Sequence, residues 1–302
     1  MNKAHISARI GVSLALASTV VLLAAAPVLS DEPSRPDFPV VVPQPAPEPI
    51  APPPPIEEPK ENAMHWGIGL GAGYRPDYEG SDHFKPFPIG FVRLWWDDGR
   101  RVELRGTESS GSAVRISSNL IPNSDFELGP VLQYRLPRDE VKSGRVDHMK
   151  DIDGAVEAGV YVGFAPRPWR IGATYTYDVS NEYGGSLVEL VAGWSDKLTD
   201  LFDMGVSVAS TYASGAYMGK YFGVSPVEAA RTGFDAYDAD QGFKDVGGRV
   251  TFGIGGEQWD GWKIFASASY FRLLGDAEDS PVVDDAGDAN QYFGGIGVAY
   301  EH

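Results

Sequence analysis

The sequence predicts an all-β fold, an antiparallel transmembrane β-barrel of twelve strands preceded by a disordered proline-rich segment. Three observations carry this expectation. From residue 63 onward, apolar residues recur at every second position in strand-sized runs, several of them ending in aromatics. The connections between runs alternate between short and long. Glycine is abundant, with 36 residues in 302, and aromatics make up 12%, a composition that suits closely approaching backbones and aromatic rims. Mean hydropathy is slightly negative, which excludes a polytopic helical membrane protein. It does not exclude a barrel, where only alternate residues meet lipid.

The chain opens with an address. Lys3 and Arg9 precede an apolar run from Ile10 to Leu29, and no acidic residue occurs before Asp31. That is the pattern of a secretory signal, so residues 1–30 are expected to be removed, with Val28 and Ser30 as the small residues before the cut. An uncleaved anchor is the alternative, but Gly11, Ser13, Ser18 and Thr19 dilute the run. Loss of Lys3 and Arg9 would take the formal charge from −17 to −19. Residues 31–62 follow as a linker, with 12 prolines between Asp31 and Lys60. Proline lacks the amide donor and fixes φ, so a solvated polyproline II rod is expected there. It would be an inert spacer or a periplasmic tether to the cell wall.

The expected barrel, residues 63–302, is read run by run. Trp66, Ile68, Leu70, Ala72 and Tyr74 share one face, with Gly67, Gly69, Gly71 and Gly73 on the other. The runs 87–96 and 101–106 flank the hairpin signal Asp97-Asp98-Gly99. Ser112–Leu120 is the weakest run. Phe126, Leu128, Leu132 and Tyr134 oppose Glu127, Gln133 and Arg135, and Val156 to Phe164 forms the sixth stripe. Trp169, Ile171, Ala173, Tyr175 and Tyr177 oppose Arg170, Thr174, Thr176 and Asp178. Stripes eight to ten start at Val188, Phe202 and Val250. The eleventh holds Trp262, Ile264, Ala266, Ala268 and Tyr270, and the twelfth, expected to close the barrel, holds Tyr292, Gly294, Ile296, Val298 and Tyr300. The opposite faces read as Gly, Ser, Thr, Asp, Glu and Arg, so a polar lumen is expected.

Connections after even-numbered strands are short: 97–99, 121–125, 165–168, 196–200 and 259–261. Those after odd-numbered strands are longer at 76–86, 137–151, 214–246 and 275–290, with 107–111 and 180–185 as exceptions. Outer-membrane barrels place short turns in the periplasm and long loops outside. An even strand count returns both termini to the periplasmic side.

Little here suggests chemistry. There is no cysteine, which excludes disulfides, thiolate metal sites and a cysteine nucleophile. The acidic balance excludes nucleic acid as a partner, since a basic surface supplies most of that affinity. His5, His65, His83, His148 and His302 are scattered with no zinc-ligand spacing. No Gly-x-Ser-x-Gly elbow occurs, and Ser109, Ser110 and Ser112 have no histidine nearby in sequence. The acidic loops, with Asp235, Asp238, Asp240 and Asp245 and then Asp276, Glu278, Asp279, Asp284, Asp285 and Asp288, lack the spacing of a calcium hand. They read as solvated loops. No catalytic, cofactor-binding or metal residue is therefore expected, and the protein is read as no enzyme.

Four stretches carry a family resemblance: GIGLGAGYRPDYEGSDHFKPFP (67–88), YFGVSPVEAARTGFDAYDADQGFKDVG (221–247), FRLLGDAEDSPVV (271–283) and YFGGIGVAY (292–300). On these the chain resembles the MipA/OmpV family of outer-membrane proteins, named for a member that interacts with a lytic murein transglycosylase. The resemblance implies a non-enzymatic outer-membrane barrel that acts as a scaffold for murein-remodelling enzymes, transglycosylase and synthase, or for peptidoglycan. Its other partners would be outer-membrane lipid and the barrel-assembly machinery of a Gram-negative cell, with the linker in the periplasm. Arg272, Gly275, Asp276, Asp279, Ser280 and Pro281 form the signature loop, with Gly275 allowing a bend and Pro281 stiffening its exit. The chain ends Tyr300-Glu301-His302, so the closing aromatic stands two residues from the end. A small-solute channel and an adhesin with acidic external loops are the alternative readings.

Overall fold

The computed structural model describes residues 62–107, 109–139 and 141–302. The expected signal at 1–30 and nearly all of the proline-rich linker lie outside the described residues. Twelve antiparallel strands run in chain order: β1 Met64–Pro76, β2 Phe84–Trp96, β3 Arg101–Gly106, β4 Ala113–Asn119, β5 Phe126–Arg135, β6 Ala155–Phe164, β7 Trp169–Asp178, β8 Ser186–Lys197, β9 Phe202–Ala213, β10 Gly242–Gly255, β11 Trp262–Leu273 and β12 Asn290–Glu301. Each pairs with its neighbours in sequence, and β12 pairs back onto β1, so the sheet closes with no free edge. The expected twelve-stranded barrel is the fold found.

The period-two pattern sets which face meets lipid. Leu70 on β1 is 67% exposed and Ile296 on β12 is 61% exposed, and the register brings Leu70 opposite Val298 and Ala72 opposite Ile296. Aromatic pairs ring this belt at both rims. Trp262 and Tyr300 meet at 5.2 Å at the turn end, and Tyr270 and Tyr292 meet at 5.2 Å at the loop end. An outward apolar band bounded by two aromatic girdles is what a bilayer requires of a barrel.

The two ends differ. One carries the turns 97–100, 120–125, 165–168, 198–201 and 256–261. The other carries six loops: L1 (77–83), L2 (107–112), L3 (136–154), L4 (179–185), L5 (214–241) and L6 (274–289). L5 is shorter than its sequence expectation because β10 begins at Gly242. L5 also contains two helices, α1 Gly215–Tyr221 and α2 Pro226–Thr232, and L6 contains α3 Pro281–Asp284. Helix α2 starts where Ser225 and Glu228 cap each other reciprocally, with Pro226 at its first position. Gly233 in the left-handed region ends it.

The polar-lumen expectation needs correction. Phe87, Ile89 and Phe91 on β2 point inward, as do Phe265 on β11 and Phe293 on β12. A Cβ at Gly69 would lie 2.4 Å from Phe91, and one at Gly297 would lie 2.6 Å from Phe265. The inward glycines of β1 and β12 thus make room for aromatic rings on their neighbours. Both faces of β2 are apolar, and alternation alone does not reveal which one turns inward.

Candidate functional site

The loops form a lid across one mouth of the barrel. Tyr217, Phe222, Leu273 and Val282 are at most 1% exposed, and they sit in two apolar clusters to which L1, L3, L4, L5 and L6 all contribute. Polar ties cross between loops. The Tyr78 hydroxyl of L1 donates to the Ala286 carbonyl of L6 at 2.9 Å. The Lys142 amide of L3 donates to Asp77 of L1 at 2.6 Å, and Lys220 pairs with Glu182 of L4 at 2.7 Å. The Arg138 guanidinium of L3 donates to the Tyr221 carbonyl at 2.9 Å. Under the lid a cavity of about 30 Å³ remains among Arg75, Glu79, Arg135 and Tyr217. That is room for a water or two.

The lid stands on a buried charge cluster. At the start of β10 a register shift turns two consecutive side chains, Lys244 and Asp245, into the barrel, and both are fully buried. The Lys244 ammonium donates to Glu79 of L1 at 2.5 Å, to Asp245 at 2.6 Å and to the Ser110 hydroxyl of L2 at 3.0 Å. The Tyr217 hydroxyl of α1 donates to Glu79 at 2.6 Å. Burial pushes the Glu79 carboxyl up, but the Lys244 ammonium and Arg135 guanidinium outweigh it and hold Glu79 below the usual carboxylate range. Burial pushes the Tyr78 hydroxyl up to about 12.

The cluster takes in one of the three serines. Ser110 has Glu79, Asp245 and Lys244 around it. Of the four described histidines, His65 pairs with Asp97 at 2.8 Å and His83 with Asp82 at 2.6 Å, while His148 meets the Gly144 carbonyl and His302 lies against Trp66. No group of three His, Cys, Asp or Glu among the described residues is placed to hold a metal.

The signature residues all fall at L6 and its root. Arg272 is the penultimate residue of β11, pairing with Glu278 and donating to Asn290 at 3.2 Å. Gly275 has φ of +51° at the start of a 3₁₀ turn. The Asp276 carboxylate accepts from the Asp240 amide at 2.6 Å, which ties L6 to L5. Asp279 is exposed. Buried Ser280 caps α3 by accepting from the Val282 amide and donates to the Phe222 carbonyl at 2.5 Å, while Pro281 is the first residue of α3. Tyr292, Gly294, Ile296, Val298 and Tyr300 lie on the outward face of β12. Sequence reasoning missed Glu79, Lys244 and Tyr217, and it read Asp245 as part of a solvated acidic loop, whereas the residue lies in β10 and is fully buried against Lys244. The adjacent Lys-Asp pair, out of phase with alternation, was the available signal.

Below the lid the lumen opens toward the turn end. Along β10, Lys244 and Asp245 are buried, Arg249 is half-buried and Thr251 is exposed. Along β11, buried Leu273, Phe271 and Ser269 give way to half-buried Phe265. The charged side chains of the outer half are matched, Arg115 with Glu189 at 2.6 Å and Arg135 with Glu157 at 2.6 Å. At the turn-end mouth a cavity of about 460 Å³ is lined by Trp95, Asp203, Lys263 and Glu301 among others. The barrel is a cup, sealed at its loop end.

A family model described as "MltA-interacting protein MipA" matches residues 68–302. No curated protein matches the chain in sequence. Among solved structures, a NanC porin is similar at 11% identity, covering 78% of this chain and 98% of the porin, with a TM-score of 0.39. The COG4313 outer membrane channel from Pseudomonas putida F1 is similar at 10% identity, covering 81% and 99%, with a TM-score of 0.39. A structure named as the CymD monoaromatic hydrocarbon channel reaches 12% identity over 80% and 89%, with a TM-score of 0.34.

Proposed function

The chain belongs to the MipA family of outer-membrane β-barrels, and from that premise we propose that it is a non-enzymatic, non-conducting platform whose turn end faces the periplasm and engages a murein transglycosylase. The observation that carries this reading is the seal at the loop end, where Tyr217, Phe222, Leu273 and Val282 are shut from solvent. A solute path would have to pass through that packing. The short turns, the start of β1 and the end of β12 stand at the opposite end, the one that faces the periplasm in bacterial barrels. That end is also the chemically open one. The Mip name supports a murein transglycosylase as partner, with a murein synthase or peptidoglycan itself as the wider assembly. The proline-rich linker at 31–62 would extend into the same compartment.

The test is co-purification from detergent-solubilised outer membranes with a murein transglycosylase of the same cell, comparing the intact barrel with variants altered at the turns 97–100 and 198–201. Retention by the intact barrel and loss in the turn variants supports the platform. Retention that survives in the turn variants and is lost when L5 is altered contradicts it.

A further inference from the structure

The inner half of the lumen sorts its charges by side. On the β2–β7 arc, Glu103 has Arg93 at 3.0 Å, Arg105 at 3.6 Å and Arg101 at 3.8 Å. Arg101 also forms a two-point pair with Glu127, and Arg170 stands within electrostatic reach of both carboxylates. Among the described residues, four guanidiniums thus stand around these two carboxylates. The β9–β12 arc has the opposite balance. Asp200, Asp203, Glu257, Asp260 and Glu301 line the mouth cavity, where Lys263 lies between Glu301 at 2.6 Å and Asp203 at 3.5 Å and Lys197 pairs with Glu257 at 3.5 Å, so five carboxylates share two ammonium groups.

Between these arcs runs an aromatic strip. The Phe91 and Phe265 rings meet edge to face at 5.8 Å, and the Arg93 guanidinium lies 5.8 Å from the centres of both Phe91 and Trp95. These rings fill space over inward glycines, yet Phe91, Trp95 and Phe265 all keep surface open to the lumen. Apolar surface facing a wet lumen is unfavourable unless something covers it. Arg93 itself is 43% exposed, and Trp95 lines the mouth cavity. The adjoining mouth cavity, whose lining includes Trp95 but stops short of Arg93, Phe91 and Phe265, has a volume of about 460 Å³, in the range of small-molecule sites.

We propose that the inner half of the barrel binds a small zwitterion of the amino-acid or dipeptide type. Its carboxylate lies on Arg93, its ammonium lies toward Asp203 and Glu301, and its side chain lies on the Phe91–Phe265 strip. A simple anion meets the acidic arc and a simple cation meets the arginine arc, so both ends of the ligand are needed. The ligand enters from the turn end because the lid closes the other. This assignment goes beyond the platform reading and stands or falls separately from it.

Titration calorimetry on the full chain in detergent tests it with three probes: alanyl-phenylalanine, the same dipeptide N-acetylated, and the same dipeptide as its C-terminal amide. The free dipeptide is expected to bind, and each blocked probe is expected to bind at least about tenfold more weakly. Arg93→Gln and, separately, Asp203→Asn are each expected to weaken the free dipeptide by about tenfold. Reading both variants, each checked for heat-modifiable migration, keeps a folding defect in one from deciding the matter. Equal binding of all three probes overturns the proposal. So does the absence of binding by the free dipeptide up to about 10 mM.

Discussion

Lys244, fully buried at the root of β10, donates a 2.5 Å hydrogen bond to Glu79, which lies 165 residues earlier in L1. With Asp245 and Ser110 on the same ammonium, this one contact joins the lid to the barrel wall. Replacing Lys244 with Met leaves two buried carboxylates facing each other with no cation between them. The expected loss is about 3–5 kcal/mol, concentrated in the lid. Urea unfolding in lipid vesicles checks the magnitude, and proteolysis of L5 checks the location.

The lid also has a pH window. Burial raises the Glu79 carboxyl, but Lys244 and Arg135 outweigh it; burial likewise raises Glu228, but bonds from Ser225 and Lys150 outweigh it, so both are depressed. Depressed carboxylates contribute stability above their unfolded range near ~4.3, and that contribution is lost as pH falls through their lower folded values. Tyr78 and Tyr237 are pushed up to about 12 by burial. Their contribution is present below ~10 and is lost as pH rises toward their folded values. The chain has no cysteine, so a spin label at Val227→Cys on exposed α2 reports the lid alone. Its spectrum is expected to stay constrained at neutral pH and to become mobile below about pH 4 and above about pH 11.

Gly80 of L1 lies tight against α3 of L6. Its φ is +99°, and an added Cβ would lie 2.5 Å from the Val283 side chain of α3. Its carbonyl also accepts from the Asp288 amide at 2.9 Å. Gly80→Ala is expected to cost about 1–3 kcal/mol through backbone strain and overpacking. A lowered melting temperature with barrel β-content retained at 25 °C is the result to look for.

Leu70 and Thr251 separate the two faces of the wall. Leu70 sits mid-strand in the lipid belt, whereas Thr251 points into the open half of the lumen. Leu70→Arg is expected to destabilise the barrel in bilayers by about 2–4 kcal/mol. Thr251→Arg should change stability by less than about 1 kcal/mol. Equal effects would mean that the strand faces are assigned wrongly.

Much of the barrel was legible because a two-residue period in strands such as β1, β5 and β12 has one physical reading once the greasy face must meet lipid. The rule fell silent at β2, where Phe87, Ile89 and Phe91 alternate with Pro86, Pro88 and Val92 and both faces are apolar. It also placed the start of β10 too late, because the bulge at Lys244 breaks the alternation it relies on. The helix α2 was readable from Ser225-Pro226-Val227-Glu228, whose capping logic is local. The seal was not readable. It depends on Tyr78, Tyr217, Phe222 and Val282 meeting from three loops, and no local pattern encodes such contacts.

The barrel is closed at its loop end and open at the other, and single-channel recording in planar bilayers tests that most directly. The intact protein at neutral pH is expected to give no steady conductance, while a variant lacking residues 215–240 of L5 gives stable open steps. Steady conductance from the intact protein, at the level of the L5-deleted variant, would contradict the sealed-cup account.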